Sequence, residues 1–115
     1  MIKCIYKEWS NMRNTSERTC SCGSWKDHWK NYSGHRWPAT CSVEGCFAEP
    51  VLGAHVKRDN DASGYIVPMC DSCNKKSEHF ALKSSVIPVR EDACKDSASS
   101  IMLNLLNKIR SDIRK

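Results

Sequence analysis

The cysteines between Cys41 and Cys73 are the residues whose types and spacing most clearly predict chemistry. They form two pairs, Cys41 with Cys46 and Cys70 with Cys73, and a stretch with the pattern of a β-hairpin separates the pairs. Four thiolates on a fixed scaffold are a preferred ligand set for tetrahedral zinc. Zinc bound by these four residues is therefore predicted in preference to two disulfides or four buried free thiols.

A second zinc site is predicted outside that segment. Cys20 and Cys22, followed by a glycine, have the form of a tight metal knuckle, and His28 lies about one turn into the helix predicted next. Cys94 is assigned as the fourth ligand. The alternative is that His28 is only hydrogen-bonded within an aromatic core. Cys4, the remaining cysteine, is expected to be a small apolar residue rather than a ligand.

The elements that must position these ligands follow from the apolar pattern. A helix is predicted from Trp25, because Ser24 and Asp27 resemble a capping box. Ile2, Tyr6 and Trp9 have the spacing of a short helix, although a strand fits residues 1–19 nearly as well. The other predictions are strands over 51–56 and 65–69, a helix from Asp71 to about Leu82 with Phe80 inward, a strand over 86–89, and an amphipathic helix over 96–115.

The predicted fold class is a small zinc-stabilised α+β protein. A length of 115 residues suits one domain with a thin core. Its predicted parts are an N-terminal knuckle and helix (1–40), a zinc core (41–83), and a strand with the C-terminal helix (84–115). That last helix is expected to pack on the core, with pairing to another chain as the alternative.

Sequence composition limits the cellular locations and binding partners that can be expected. The N-terminal sequence lacks the apolar segment and cleavage site of a signal peptide, and no apolar run is long enough to cross a bilayer. A cytoplasmic location without a membrane partner is therefore expected, with the cysteines as metal ligands. The formal charge is +5. Two thiolate-bound zinc ions would lower it to about +2, so charge alone does not identify a partner.

Residues 41–74 resemble the zinc-containing HNH endonucleases. The shared order is a cysteine pair, a hairpin that carries a histidine, and a CxxC followed by asparagine. The resemblance implies a treble-clef ββα core, with His55 as the general base and Asn74 as a ligand of a catalytic Mg²⁺ or Mn²⁺. Strand alternation places His55 out of phase with Ala54 and Val56, so it is expected to face the start of the following helix.

Two departures from the family pattern weaken the expectation of cleavage. Ala54 stands where many family members have aspartate, and Tyr65 or a neighbour stands near the family's middle asparagine. Asn74 alone is a weak ligand for Mg²⁺, which prefers carboxylates. Weak or absent cleavage is therefore expected, with an active metal-dependent endonuclease as an alternative. The acidic residues that could replace the missing ligand are Asp59, Asp61 and Asp71.

Basic residues near His55 and Asn74 predict contact with nucleic acid. Lys57 and Arg58 follow His55, and Lys75 and Lys76 follow Asn74. Four cations beside one cleft suit a phosphate backbone, although a solvated surface explains them equally well. The alternative function is a protein-binding zinc module, an inhibitor or adaptor, that uses exposed tryptophans or the C-terminal helix.

Overall fold

The computed structural model describes residues 7–15, 18–20 and 22–94. Four strands join into one antiparallel sheet in the order β1-β2-β3-β4, and two helices accompany them. This architecture confirms the predicted small α+β class. In chain order the elements are β1 (Trp9–Asn11), α1 (Trp25–Ser33), β2 (Leu52–Arg58), β3 (Gly64–Met69), α2 (Asp71–Asn74) and β4 (Val89–Arg90).

The β2–β3 hairpin is the centre of the sheet and confirms the predicted strand pair. Ala54 lies opposite Val67, and His55 lies opposite Ile66. Because side chains alternate along a strand, the hairpin presents two different faces. Each face has its own buried cluster.

One face, which we call the cysteine face, packs against the four cysteines of the segment 41–73. Ala54 and Val56 lie in the same buried cluster as Cys41, Cys70 and Cys73. The other face, which we call the α1 face, carries His55 and Ile66 and is covered by α1. The sheet therefore separates two layers of side chains.

Local chemistry explains both ends of α1. The Ser24 hydroxyl accepts a hydrogen bond from the Asp27 N–H at 3.0 Å, which caps the first turn as the sequence predicts. The helix ends at Gly34, whose φ of 71° lies in the left-handed region that glycine adopts at little cost.

α1 lies very close to the sheet because β2 has no side chain at Gly53. A Cβ atom at Gly53 would lie 2.6 Å from the carbonyl carbon and oxygen of Trp25 and 2.9 Å from the Lys26 nitrogen. All three are backbone atoms, which cannot rotate away. The contact fixes the distance between α1 and the sheet. It therefore also fixes the position of His28, which α1 carries.

The second helix is shorter than predicted. α2 ends at Asn74 rather than near Leu82, because the Asn11 amide of β1 donates to the carbonyls of Cys73 (2.8 Å) and Lys76 (2.9 Å). The residues that follow form no helix. Phe80 makes an isolated bridge with Trp9, and Leu82 makes one with Val43. Tertiary pairing therefore outweighs helix propensity in residues 75–82.

Two short strands also differ from expectation. Trp9 belongs to β1, so the helix considered for the N-terminal segment is wrong at this residue and the strand alternative is correct there. The strand predicted over 86–89 begins instead at Val89 and pairs with β3. Cys4 and the predicted helix over 96–115 lie outside the described residues. Within the described ranges, no helix is long and apolar enough to span a membrane.

We expect Gly53→Ala to destabilise the protein by about 1–3 kcal/mol, the usual cost of overpacking. The added methyl group must push α1 from β2, although alanine also reduces the entropy of the unfolded chain. Urea unfolding followed by tryptophan fluorescence measures the change, with Gly53→Val expected to cost more. An unchanged unfolding midpoint in both variants would contradict this packing.

Candidate metal centres

The first candidate centre brings together all four cysteines predicted for it. Two segments supply them: a turn carries Cys41 and Cys46, while Cys70 is the N-cap of α2 and Cys73 lies in the first turn of that helix. Their sulfur atoms all lie within 4.8 Å of one another. The sulfurs of Cys46 and Cys70 are 3.8 Å apart. Zn–S bonds of about 2.3 Å imply tetrahedral S···S edges of about 3.8 Å, so the spacing suits zinc.

Backbone amides point at these sulfur atoms. The Cys70 N–H donates to Cys41 Sγ at 3.4 Å, and the Cys73 N–H donates to Cys70 Sγ at 3.4 Å. The N–H groups of Val43 and Ala48 donate to Cys41 and Cys46, two residues earlier in each case. Amide donors favour the thiolate form, which is the form that binds metal.

Burial has the opposite effect on the same thiols. It raises the pKa of Cys41 and of Cys73, because a thiolate loses solvation inside the cysteine face. At Cys46, which is less buried, the Ala48 N–H lowers the pKa. The seven described cysteines are all free thiols rather than disulfides. A divalent cation would offset half of the negative charge of four close thiolates, so the donor set fits zinc.

The second candidate centre lies on the α1 face and contains three of its four predicted ligands. The ligand atoms of Cys20, His28 and Cys94 lie within 4.8 Å of one another. Cys20 Sγ is 3.0 Å from His28 Nδ1. Burial raises the pKa of Cys20 to about 12, and contacts with the thiols of Cys22 and Cys94 act in the same direction. The three groups form a cluster of two cysteines and one histidine that can bind zinc.

The orientation of His28 suits metal binding. Its Nε2 lies 2.9 Å from the Arg90 carbonyl of β4 and therefore carries the proton that it donates. Nδ1, which faces Cys20, is then the unprotonated nitrogen with a free lone pair. A histidine that binds metal usually donates its other N–H in this way. His28 is fully buried, so this orientation is fixed by packing.

Cys22 is not part of this three-residue cluster. Its backbone N–H donates to Cys20 Sγ at 3.3 Å, and its thiol contacts the Cys20 thiol. The knuckle predicted at Cys20 and Cys22 therefore forms through its backbone. Whether Cys22 supplies the fourth ligand stays a prediction.

His55 lies on the α1 face rather than beside α2. As alternation predicts, it is out of phase with Ala54 and Val56, but its ring faces Trp25 with the centroids 4.4 Å apart. Its Nε2 is 3.4 Å from Glu91 Oε2, and its side chain is only 7% exposed. Burial lowers the pKa of His55, with Glu91 opposing the shift. The expected approach of His55 to the start of α2 is therefore wrong.

Asn74 and three of the predicted basic residues line a groove beside β1, which we call the β1 groove. It consists of two adjoining depressions that share Asn11, Met12, Arg13 and Ser77. Lys57 lines one depression, and Asn74, Lys75 and Lys76 line the other. Arg58 lies apart and pairs with Glu8 at 3.0 Å.

Sequence reasoning missed several residues of these sites. Arg13 and His79 line the β1 groove, and Glu91 contacts both His55 and Arg18. No local pattern marks them. Lys57 lies opposite Ser10 of β1, and a long-range pairing of this kind has no local sequence signal.

The fold and the sites define a small α+β domain with two cysteine-rich clusters that can bind zinc. No protein-family model matches the sequence, and neither a curated protein nor a solved structure matches the chain.

We expect two zinc ions per chain, one for each cluster. Cys73→Ser should lose one zinc and unfold much of the domain, because structural zinc contributes directly to folding. Cys94→Ser should lose the other zinc and keep the cysteine face folded. Elemental analysis of protein purified without chelator, with circular dichroism of each variant, measures both effects.

Cys22→Ser is the matched control for the second centre. Because Cys22 is outside the three-residue cluster, this variant should weaken zinc binding less than Cys94→Ser. Fewer than one zinc per chain in the wild type would contradict both centres. An unchanged count in Cys94→Ser would remove the second.

Proposed function

We propose that this protein is a zinc-stabilised module that binds nucleic acid through the β1 groove and does not cleave it. The proposal is based on the positive charge of this groove. Arg13, Lys57, Lys75 and Lys76 line it, and Asp59 is the one acidic residue among its described lining residues.

The role proposed for zinc is structural. The cluster of four cysteines in the segment 41–73 offers a complete tetrahedral ligand set, whereas catalytic zinc keeps one position open for water. The cluster also joins the turn at 41–46 to α2, so zinc would hold one wall of the groove. Free thiols and zinc suit the reducing cytoplasm, the location that we propose.

The cations in the groove are not equally available. Among the described residues, Lys57 and Arg13 have no acidic partner. Lys75 pairs with Asp71 at 2.8 Å and Lys76 with Glu78 at 3.6 Å, but both pairs are exposed. Exposed pairs are worth little, so a phosphate could displace them. We therefore assign most of the binding energy to Lys57 and Arg13.

The order of knuckle, β2–β3 hairpin and α2 supports a likeness to the ββα core of HNH endonucleases. The environment of His55 argues against their chemistry here. A general base must reach the water that it activates, whereas His55 is buried between Trp25 and Glu91. We propose that His55 is a packing residue of the α1 face.

The carboxylates that could complete a catalytic metal site already have partners. Asp59 contacts His79 at 3.0 Å, and Asp71 contacts Lys75. Asp61 accepts hydrogen bonds from the Ser63 N–H and the Tyr65 hydroxyl, which lower its pKa. These contacts support binding without hydrolysis.

The positions of the tryptophans give little support to the alternative function, in which exposed tryptophans bind another protein. Trp9 and Trp29 are buried, and Trp25 and Trp37 are half-buried. The indole N–H of Trp29 donates to the Ile87 carbonyl, and that of Trp37 donates to the Pro50 carbonyl. These side chains are packed and bonded within the protein.

We expect Lys57→Glu and Arg13→Glu each to weaken binding of a labelled oligonucleotide by about tenfold or more, because each replaces a phosphate contact with repulsion. Fluorescence anisotropy with single-stranded RNA and duplex DNA at two salt concentrations measures this. Lys30→Glu is the matched control, since Lys30 is exposed on α1 outside the groove. Salt-independent binding, or equal loss in the control, would contradict the groove.

We expect no cleavage of plasmid or single-stranded RNA with Mg²⁺ or Mn²⁺. His55→Ala should alter stability rather than any nuclease activity, because it removes a buried ring from the α1 face. Gel analysis of the wild type beside the variant tests this. Robust cutting by the wild type that disappears in a folded His55→Ala protein would establish an endonuclease instead.

A further inference from the structure

A cavity of about 240 Å³ lies between α1 and the segment 83–87, away from the β1 groove. We call it the Trp29 cavity. Its walls are largely apolar, from side chains that lie far apart in the sequence: Trp29, Pro38, Pro68, Val86 and Ile87. An engineered apolar cavity of about 150 Å³ accommodates benzene, so this one has room for a fused ring and a substituent.

The rest of the lining is polar and includes two cations, Arg36 and Lys83. His35 and four neutral residues complete it, and no Asp or Glu occurs among the described lining residues; the neutral residues are Thr40, Cys41, Ser42 and Ser85. Arg36 is exposed and has no described partner. An anion in the cavity could therefore bind the guanidinium group without first displacing an acidic partner among the described residues.

Lys83 adds a positive charge that no acidic side chain balances among the described residues. Its ammonium donates to Thr40 Oγ1 at 3.1 Å and to the Cys46 carbonyl at 2.6 Å, and it lies 4.9 Å from the centre of the Phe47 ring. All three partners are neutral. A lysine ammonium has three donors, so one remains for a ligand.

Ser42 provides a separate indication of a ligand. The residue lines the cavity and is only 2% exposed, yet its hydroxyl has no hydrogen-bond partner among the described residues. Buried polar groups are normally paired, so an unpaired hydroxyl in a cavity wall calls for an explanation. A polar atom of a bound molecule would supply the partner.

We propose that the Trp29 cavity binds a small organic anion that joins a flat apolar ring to a carboxylate. The ring occupies the apolar walls, and the anionic group contacts Arg36 and Lys83. Apolar walls with a few placed polar groups are the usual form of a small-molecule site. This site is independent of the β1 groove and of nucleic-acid binding.

The test is a titration of the zinc-loaded, ¹⁵N-labelled full chain with indole-3-carboxylate and with its neutral counterpart, indole-3-carboxamide. The indole N–H signal of Trp29 reports on the cavity, because this group donates to Ile87 in the cavity wall. We expect a saturable shift at millimolar concentration, with the carboxylate binding about tenfold more tightly, the typical value of a charge-assisted hydrogen bond.

Arg36→Ala should remove most of the difference between the two compounds without unfolding the protein, since Arg36 is exposed and unpaired among the described residues. Arg13→Ala, which removes a cation from the β1 groove, is the matched control and should leave the difference unchanged. The absence of a saturable Trp29 shift would overturn the proposal. Equal affinity for the two compounds, or an unchanged difference in Arg36→Ala, would also overturn it.

Discussion

The close spacing of four sulfur atoms is the constraint on which most of the cysteine face depends. Cys41 and Cys46 lie in a turn, Cys70 is the N-cap of a helix of four residues, and Cys73 lies in that helix. So short a helix is not stable alone, since helix nucleation is costly and propagation brings few hydrogen bonds here. A zinc ion bound to all four sulfurs would hold both pieces against Ala54, and burial of the apolar residues follows from that placement.

The α1 face depends on a different contact, the approach of a helix backbone to a glycine. Gly53 lets the first turn of α1 rest on β2, and this height brings His28 to the Arg90 carbonyl on one side and to Cys20 on the other. The two candidate metal centres lie on opposite faces of one sheet. The β2–β3 hairpin therefore fixes where the two centres lie relative to each other, although the centres share no ligand.

The sequence predicted what depends on local patterns. Cysteine pairing, the Ser24 cap and strand alternation each involve neighbouring residues, and these parts of the fold are confirmed. It did not predict contacts between distant segments, such as the Asn11 amide that ends α2 or the bridge between Trp9 and Phe80. Pattern alone also placed His55 on the correct strand face but could not show that α1 and Glu91 occupy that face.

We infer that two distinct cysteine-rich centres stabilise this fold. ¹¹³Cd NMR of the cadmium-substituted protein is a direct test for both centres. Cadmium replaces zinc at thiolate sites, and its chemical shift depends on the number of sulfur ligands. We expect two resonances, one typical of four thiolates and one typical of mixed sulfur and nitrogen ligands. Cys94→Ser should remove only the second. A single resonance, or the absence of an all-thiolate signal, would show that the two centres do not both form.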